Sequence, residues 1–276
     1  SHYKAGMACF NNGLKKSSSG SSKAMIKDQK VVVVMPAYNA ARTLEKTHKE
    51  VLEQDMVDLI ILVDDDSTDQ TTALAQTLEK TEVHTHKENL GYGGNQKTCY
   101  RLALEAGADI VIMVHPDYQY TPKLIPALAG MVAEGLYHCV LASRILGGGA
   151  MAGGMPLWKY IGNRGLTFLG NLLLGSKLSE FHTGYRAYSR ELLEKLDLDK
   201  NSNDFVFDNE ILAQTIWQGY TIAEVSCPTL YFPEASSIGL RASIEYGLGC
   251  LGTGWAYRLA RLGVQEDPRF PRSENT

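Results

Sequence analysis

Three consecutive carboxylates, Asp64, Asp65 and Asp66, follow directly on the apolar run LIILV at residues 59–63. Like charges at the end of a buried strand repel one another. That cost is offset if they accept hydrogen bonds from a ligand's base N–H groups and sugar hydroxyls; a solvated helix cap is the plain alternative. A second group follows the apolar run DIVIMV, residues 109–114, where His115, Asp117 and Gln119 stand at alternate positions. In an extended segment that spacing puts an imidazole, a carboxylate and an amide on one side, a set able to ligate a metal. Imidazole is a poor ligand for Mg²⁺ and a better one for Mn²⁺, so the trio favours manganese; a loop without metal is the alternative.

One further segment could approach an anion. Asn89-Leu90-Gly91-Tyr92-Gly93-Gly94-Asn95 is a glycine-rich turn opening a helix, which would point backbone N–H groups at a ligand. It is not a dinucleotide fingerprint, because Gln96 stands where GxGxxG needs glycine, and no GK[ST] follows to make a P-loop. FDNEIL, residues 207–212, follows an irregular stretch and begins a helix.

These groups need a scaffold, and the chain repeats one. VVVVM before Pro36-Ala37-Tyr38-Asn39 reads as a parallel strand buried on both faces, and ARTLEKTHKEVLEQ as a helix leading to LIILV. The alternation continues through TDQTTALAQTLEKT, VHTHK, GGNQKTCYRLALEAG, DIVIMV and PKLIPALAGMVAEG, which predicts an α/β, Rossmann-like doubly wound sheet with ligands at strand C-termini. After residue 140 the rhythm loosens: strand VLASR, loop GGGAMAGG, the apolar stretch WKYIGNRGLTFLGNLLLG, then FHTGYRAY, helix NEILAQTIWQG and strand TIAEVSC. Leu240, Ile244, Leu248, Leu251, Trp255, Leu259 and Leu262 then mark an amphipathic C-terminal helix. Residues 1–29, with KKSSSGSSK, read as a flexible leader, 30–235 as the main domain, 236–264 as a helical segment and 265–276 as a frayed tail.

Composition narrows the partners. A net charge of −4 gives no general field for nucleic acid. Five cysteines without a CxxC pair are read as reduced thiols of a cytoplasmic protein, and no run approaches the roughly 20 apolar residues of a membrane span. The stretch 158–175 and the end helix could lie on a membrane, peripherally at its inner face, or pack on the sheet or in a homo-oligomer.

Taken in order, PAYN, DDDSTD, NLGYGGN and HPDYQY resemble the nucleotide-sugar-binding half of family 2 glycosyltransferases with the GT-A fold, in the branch of the dolichyl- and polyprenyl-phosphate sugar synthases. The likeness runs over about residues 30–235, with 30–122 as the donor half and 123–235 as the acceptor half. It implies an inverting transferase using a nucleoside-diphosphate sugar, UDP-linked by preference with GDP-mannose open. Pro36, Ala37, Tyr38, Asn39, Asp64, Asp65, Asn89, Gly91, Gly94, Lys97, Pro116, Asp117 and Arg144 would bind the donor. Asp117 matches the second acid of the family's DxD motif and Gln119 the glutamine after it; His115 stands where the first acid is expected, so the metal set is Asp117, Gln119 and His115, with Mn²⁺ or Mg²⁺. HTGYR resembles the family's SGFR element, with His182 near where an acid is common. Ser143-Arg144 is similar to the family's SR pair after the next strand, and Arg144 and Arg186 would neutralise a leaving diphosphate or hold an acceptor phosphate, with surface ion pairs as the plainer reading. FDNEIL sits where many family members place a general base, which makes Asp208 and Glu210 candidates, needed only if the acceptor is a hydroxyl; a helix-cap role for Asp208 is equally open. Asp208, Asp117 and Arg186 are the expected catalytic residues, and the acceptor would be a lipid phosphate or a glycan hydroxyl. A nucleotidyltransferase would need a glycine-rich basic loop after the first strand, which PAYNAARTL lacks; a nucleotide-sugar-binding protein without catalysis is the other alternative.

Overall fold

The computed structural model describes residues 26–229, 231 and 239–271. Strand β1, Val31–Ala37, is apolar throughout because both its faces are covered: Val31, Val33 and Met35 enter one core cluster, Val32 and Val34 the other. Strands β2, Leu59–Asp64, and β3, Thr81–Thr85, continue the sheet on one side of β1, and β4, Ile110–Met113, lies on the other. All four are parallel. Beyond β4 the sheet holds β6, Arg186–Ser189, then β5, Cys139–Ser143, then β7, Ile222–Ser226, giving the order β3-β2-β1-β4-β6-β5-β7.

Helices α1 (Leu44–Leu52), α2 (Thr71–Ala75) and α4 (Ile125–Ala133) cover one face. The other is covered by α3 (Gly91–Glu105), α6 (Arg190–Lys195), α7 (Phe207–Trp217) and the ends of α5 (Leu157–Leu174) and α8 (Leu240–Leu262). The chain runs from β1 outward to β3 and then crosses back to place β4 on the far side of β1. This reversal opens a crevice at the C-terminal ends of β1 and β4, where doubly wound sheets bind ligands.

Four features differ from the sequence reading. Strand β6 was hidden in FHTGYRAY; it is antiparallel to both β4 and β5, and its four residues RAYS carry no apolar run to announce it. Order begins before residue 30, because Ile26 is fully buried in the core and Lys27 pairs with Glu134 at 2.9 Å. The tail is docked as far as Pro271: Phe270 is buried against Trp217 and Tyr257, and the Trp217 indole donates to the Pro271 carbonyl at 2.8 Å. Finally, Ile244, Leu248, Trp255 and Leu262 of α8 are exposed, and the helix packs instead through Gly247, Cys250, Thr253, Gly254, Tyr257 and Ala260. Small residues permit that close approach. The four cysteines among the described residues are free and buried, as read; Cys9 lies outside them.

Glycine also sets the distance between α3 and the loop before α7. A Cβ on Gly93 would lie 2.6 Å from the Ser202 carbonyl oxygen and 2.7 Å from the Phe207 Cβ. Gly93→Ala should therefore destabilise the protein by about 1–3 kcal/mol despite alanine's better helix propensity, read as a lower denaturant midpoint. An unchanged midpoint would mean that residues 202–207 shift freely.

Candidate active site

A cleft of about 900 Å³ occupies the crevice beside the ends of β1 and β4. Its donor side is built from the turn after β1 and the residues that follow β2. Pro36, Ala37, Tyr38 and Asn39 line it, joined by Asp65, Asn89 and Gly91. Asn39 has a φ of +50°, a strained region tolerated best by Asn, Asp and Gly, and its side-chain oxygen accepts from the Thr68 and Asp69 N–H groups. That holds the loop after β2 against the turn after β1.

The three acids part company here. Asp64 does not line the cleft: it is buried and accepts from Ser67 and from the Thr72 hydroxyl, so its charge stabilises a turn. Asp65 lines the cleft, yet its carboxylate accepts from the Leu90 and Gly91 N–H groups at 2.9 and 3.0 Å and lies 2.7 Å from His86 Nδ1. Asp66 is exposed. The glycine-rich turn is thus already capped from within. The Gly93 and Gly94 N–H groups donate to the Asn203 carbonyl, and Gly94 lies outside the cleft. Lys97 is also turned away, donating to the Asn201 carbonyl and the Asn203 side chain on the far side of α3. Asp64, Gly94 and Lys97 therefore stand outside the cleft that the other expected donor-binding residues line. Helical phase explains Lys97: two residues beyond Asn95, which lines the cleft, it lies about 200° further round the helix and so on the opposite face.

Pro116, Asp117 and Gln119 reach the centre of the cleft. The segment is a turn, not the extended run expected, because Tyr118 has a φ of +56° and the Asp117 carboxylate accepts the Gln119 N–H at 3.0 Å. His115 is half-buried, stacked on Tyr92 with ring centroids 5.4 Å apart. The Tyr92 hydroxyl donates to Asp208 at 2.7 Å and lies 3.2 Å from His115 Nε2, so the ring proton belongs on Nε2 and the lone pair on Nδ1. Burial pushes His115 below its ordinary value, with Asp117 and Asp208 opposing, so it is a neutral imidazole. Among the described residues no three His, Cys, Asp or Glu side chains gather as a metal site. A hard divalent cation commonly takes one or two protein carboxylates and completes its shell with substrate phosphates and water. Asp117, Gln119 and His115 all line the cleft and are of the donor types that such a cation accepts.

Asp208 lines the cleft, whereas Glu210 faces away and pairs with Arg269 at 2.7 Å. Both Asp208 oxygens are occupied: Tyr92 donates to one and the Gln96 amide to the other at 3.1 Å, with Arg186 at 3.7 Å. Arg186 itself is fully buried and does not reach the cleft. Its guanidinium donates to the carbonyls of Thr183, Phe181 and Asp208 and lies 3.3 Å from the Tyr188 hydroxyl, so the expected catalytic arginine is a bracket between β6 and α7. The antiparallel strand that sequence reading missed is what turns it inward.

Arg144 does line the cleft, but it is paired with the fully buried Glu180. Burial alone would raise the Glu180 carboxyl; Arg144 more than offsets this and holds it below the usual range. Glu180 stands two residues before His182, and an acid beside the HTGYR element was the one signal that could have found it. Trp158 and Lys159 of α5 and Tyr246 of α8 complete the lining of the cleft. Nothing in their sequence spacing pointed to a site, because they arrive from helices remote along the chain.

His182 lies 2.6 Å from the Tyr246 hydroxyl through Nδ1, while its buried Nε2 has no hydrogen-bond partner among the described residues. A buried ring nitrogen is ordinarily paired, so Nε2 is open to a ligand or a water. Burial pushes His182 down to about 4, with Glu180 opposing and Arg144 reinforcing. The folded state therefore refuses a proton that the unfolded chain accepts below pH about 6.5. Stability is fully present above that pH and falls as pH drops toward 4. Between pH 7 and 5 the loss from His182 should be about 2 kcal/mol, and His182→Gln should flatten the profile measured by denaturant midpoints. A profile identical in the variant would assign the acid sensitivity elsewhere.

The chain matches the family described as glycosyl transferase family 2 over residues 32–197. An uncharacterized protein of Methanocaldococcus jannaschii is 30% identical over 78% of this chain and 87% of its own. The UDP-N-acetylglucosamine–dolichyl-phosphate N-acetylglucosaminyltransferase of Methanococcus voltae is 28% identical over 79% of this chain and 93% of its own. Among solved structures, glucosyl-3-phosphoglycerate synthase from Mycobacterium tuberculosis superposes with a TM-score of 0.67 at 22% identity, over 92% of this chain and 87% of that one, which supports the GT-A fold. With the switch-point cleft and the PAYN, HPDYQ and HTGYR segments gathered around it, the chain belongs to glycosyl transferase family 2 and is a glycosyltransferase similar to the polyprenyl-phosphate sugar synthases.

Proposed function

We propose that this enzyme moves a sugar, with inversion, from a nucleoside-diphosphate sugar to a polyprenyl phosphate. The observation that carries the acceptor is the state of Asp208. A carboxylate whose oxygens are taken up by Tyr92, Gln96 and Arg186 is poorly placed to receive a proton from a hydroxyl nucleophile. A phosphate acceptor is already ionised at neutral pH and needs no base. Relatives named for dolichyl phosphate, polyprenol monophosphomannose and undecaprenyl phosphate support the same acceptor class.

In this mechanism the nucleoside lies against Pro36–Asn39 and Asp65, and the diphosphate points toward Asp117. Asp117 and Gln119, with His115 beside them, would hold a divalent cation, Mn²⁺ or Mg²⁺, whose chemistry would be to stabilise the negative charge of the departing diphosphate. Lys159 and the Arg144–Glu180 pair position the acceptor phosphate on the opposite side, and the neutral His182 donates from Nε2 to the acceptor or the sugar. Alignment of nucleophile and leaving group on opposite sides of the anomeric carbon is what yields inversion. A UDP-sugar is the preferred donor, as the Methanococcus voltae relative's name suggests; the mannosyl names of two other relatives keep GDP-mannose as its rival. No helix among the described residues is long and apolar enough to cross a membrane, and we place the enzyme at the cytoplasmic face as a peripheral protein.

Calorimetric titration with UDP, GDP, CDP and dTDP, each with Mn²⁺, Mg²⁺ or chelator, tests the donor side. One diphosphate should bind selectively and more tightly with metal. Transfer assays with a polyprenyl phosphate and the corresponding polyprenol test the acceptor. Equal transfer to the alcohol would sink the phosphate assignment.

A further inference from the structure

We infer that the outer face of the α5–α8 pair is a docking surface for an anionic lipid bilayer, positioned so that a lipid-borne phosphate reaches the cleft while its chain stays in the membrane. The delivery part rests on the polyprenyl-phosphate reading; the docking part stands on the surface alone.

The two helices lie side by side and run in the same direction. Leu166 meets Gly247, and seven residues on Leu173 meets Gly254, while Arg258 donates to the Leu172 carbonyl. Each helix turns one stripe to the protein and an adjacent stripe to its neighbour, so the remaining stripes both look outward. On α5 that stripe is Leu157, Ile161, Phe168 and Leu172, and on α8 it is Ile244, Leu248, Trp255 and Leu262. Phe168 is 68% exposed and Leu248 65%. Eight large apolar side chains on one face are more than a water-facing surface ordinarily carries.

Charge selects the occupant. These two helices carry Lys159, Arg164, Arg241, Arg258 and Arg261 against the single acid Glu245, in a chain whose formal net charge is −4. Basic side chains flanking an apolar stripe suit helices lying in the headgroup region of an anionic membrane. A second copy meeting the same face by two-fold symmetry would set the basic groups against themselves. The N-terminal ends of both helices reach the cleft, where Trp158, Lys159 and Tyr246 line the acceptor side. The apolar surface is therefore continuous with the place where an acceptor phosphate would sit.

The test is flotation of the full chain with vesicles of phosphatidylcholine alone or mixed with phosphatidylglycerol, at about 0.1 M and about 1 M salt. Binding should require the anionic lipid and weaken with salt. In a Phe168→Glu, Leu248→Glu variant, altered only at exposed positions outside the cleft, it should fall by about tenfold or more, with nucleoside diphosphate binding unchanged. Vesicle binding that is absent, or equal in the variant, overturns the docking surface. So does a dimer in analytical ultracentrifugation that the variant dissociates, which would give the face to a second copy. Transfer to a short water-soluble isoprenyl phosphate should survive in the variant, while transfer to a long-chain acceptor in vesicles should fall. No transfer to either acceptor by the unaltered chain would instead sink the functional reading and leave the docking result standing.

Discussion

Asp117→Asn should lower sugar transfer by about 1,000-fold while leaving the unfolding transition where it is. The size of the effect follows from how the other carboxylates of the cleft are used. Asp65 is committed to the start of α3 and to His86, and Asp208 to Tyr92, Gln96 and Arg186. Asp117 uses one oxygen to accept the neighbouring Gln119 N–H, a bond that an asparagine oxygen can also accept. The substitution thus preserves the turn and removes the negative charge that would hold a cation against the diphosphate. Initial rates with the donor found by titration, alongside a thermal melt, check both halves. Undiminished turnover in the variant would remove Asp117 from the chemistry.

The second large effect falls on stability. Arg186→Met should destabilise the protein by about 3–5 kcal/mol, because it leaves buried carbonyls at Thr183, Phe181 and Asp208 without a donor and the Asp208 carboxylate without its counter-charge. For a chain of this size the melting temperature should drop by roughly 10 °C. Nucleoside diphosphate binding, measured well below that transition, should persist, since Arg186 does not line the cleft. The opposite pattern, unchanged stability with lost binding, would return this arginine to the donor site. Arg144, by contrast, faces the cleft, so its loss should combine a stability cost with weaker handling of the acceptor.

These two residues show how far spacing alone can go. Asp117 was legible because a strand must end at the crevice edge, and the first polar residues beyond a buried strand's C-terminus have nowhere else to point. Arg186 was misplaced for the complementary reason. It sits in a short antiparallel strand without an apolar run, and whether it faces ligand or interior depends on pairing with β4 and β5, segments far away in sequence. The same holds for Asp64 and Lys97, each one helix or strand phase away from the cleft.

The amino-acid sequence by itself determined the doubly wound half: apolar strands buried on both faces, amphipathic helices between them, and ligands expected at the strand C-termini. Those follow from local periodicity and chain connectivity. Tertiary structure decided which polar atoms remain for a ligand, by capping α3 with Asp65 and Asn203, neutralising Arg144 with Glu180, and leaving His182 Nε2 without a partner. It also decided that α8 packs on its glycines and turns its large apolar residues outward. A periodic stripe tells that a helix has two faces, but which of them is covered depends on what the rest of the fold brings against it.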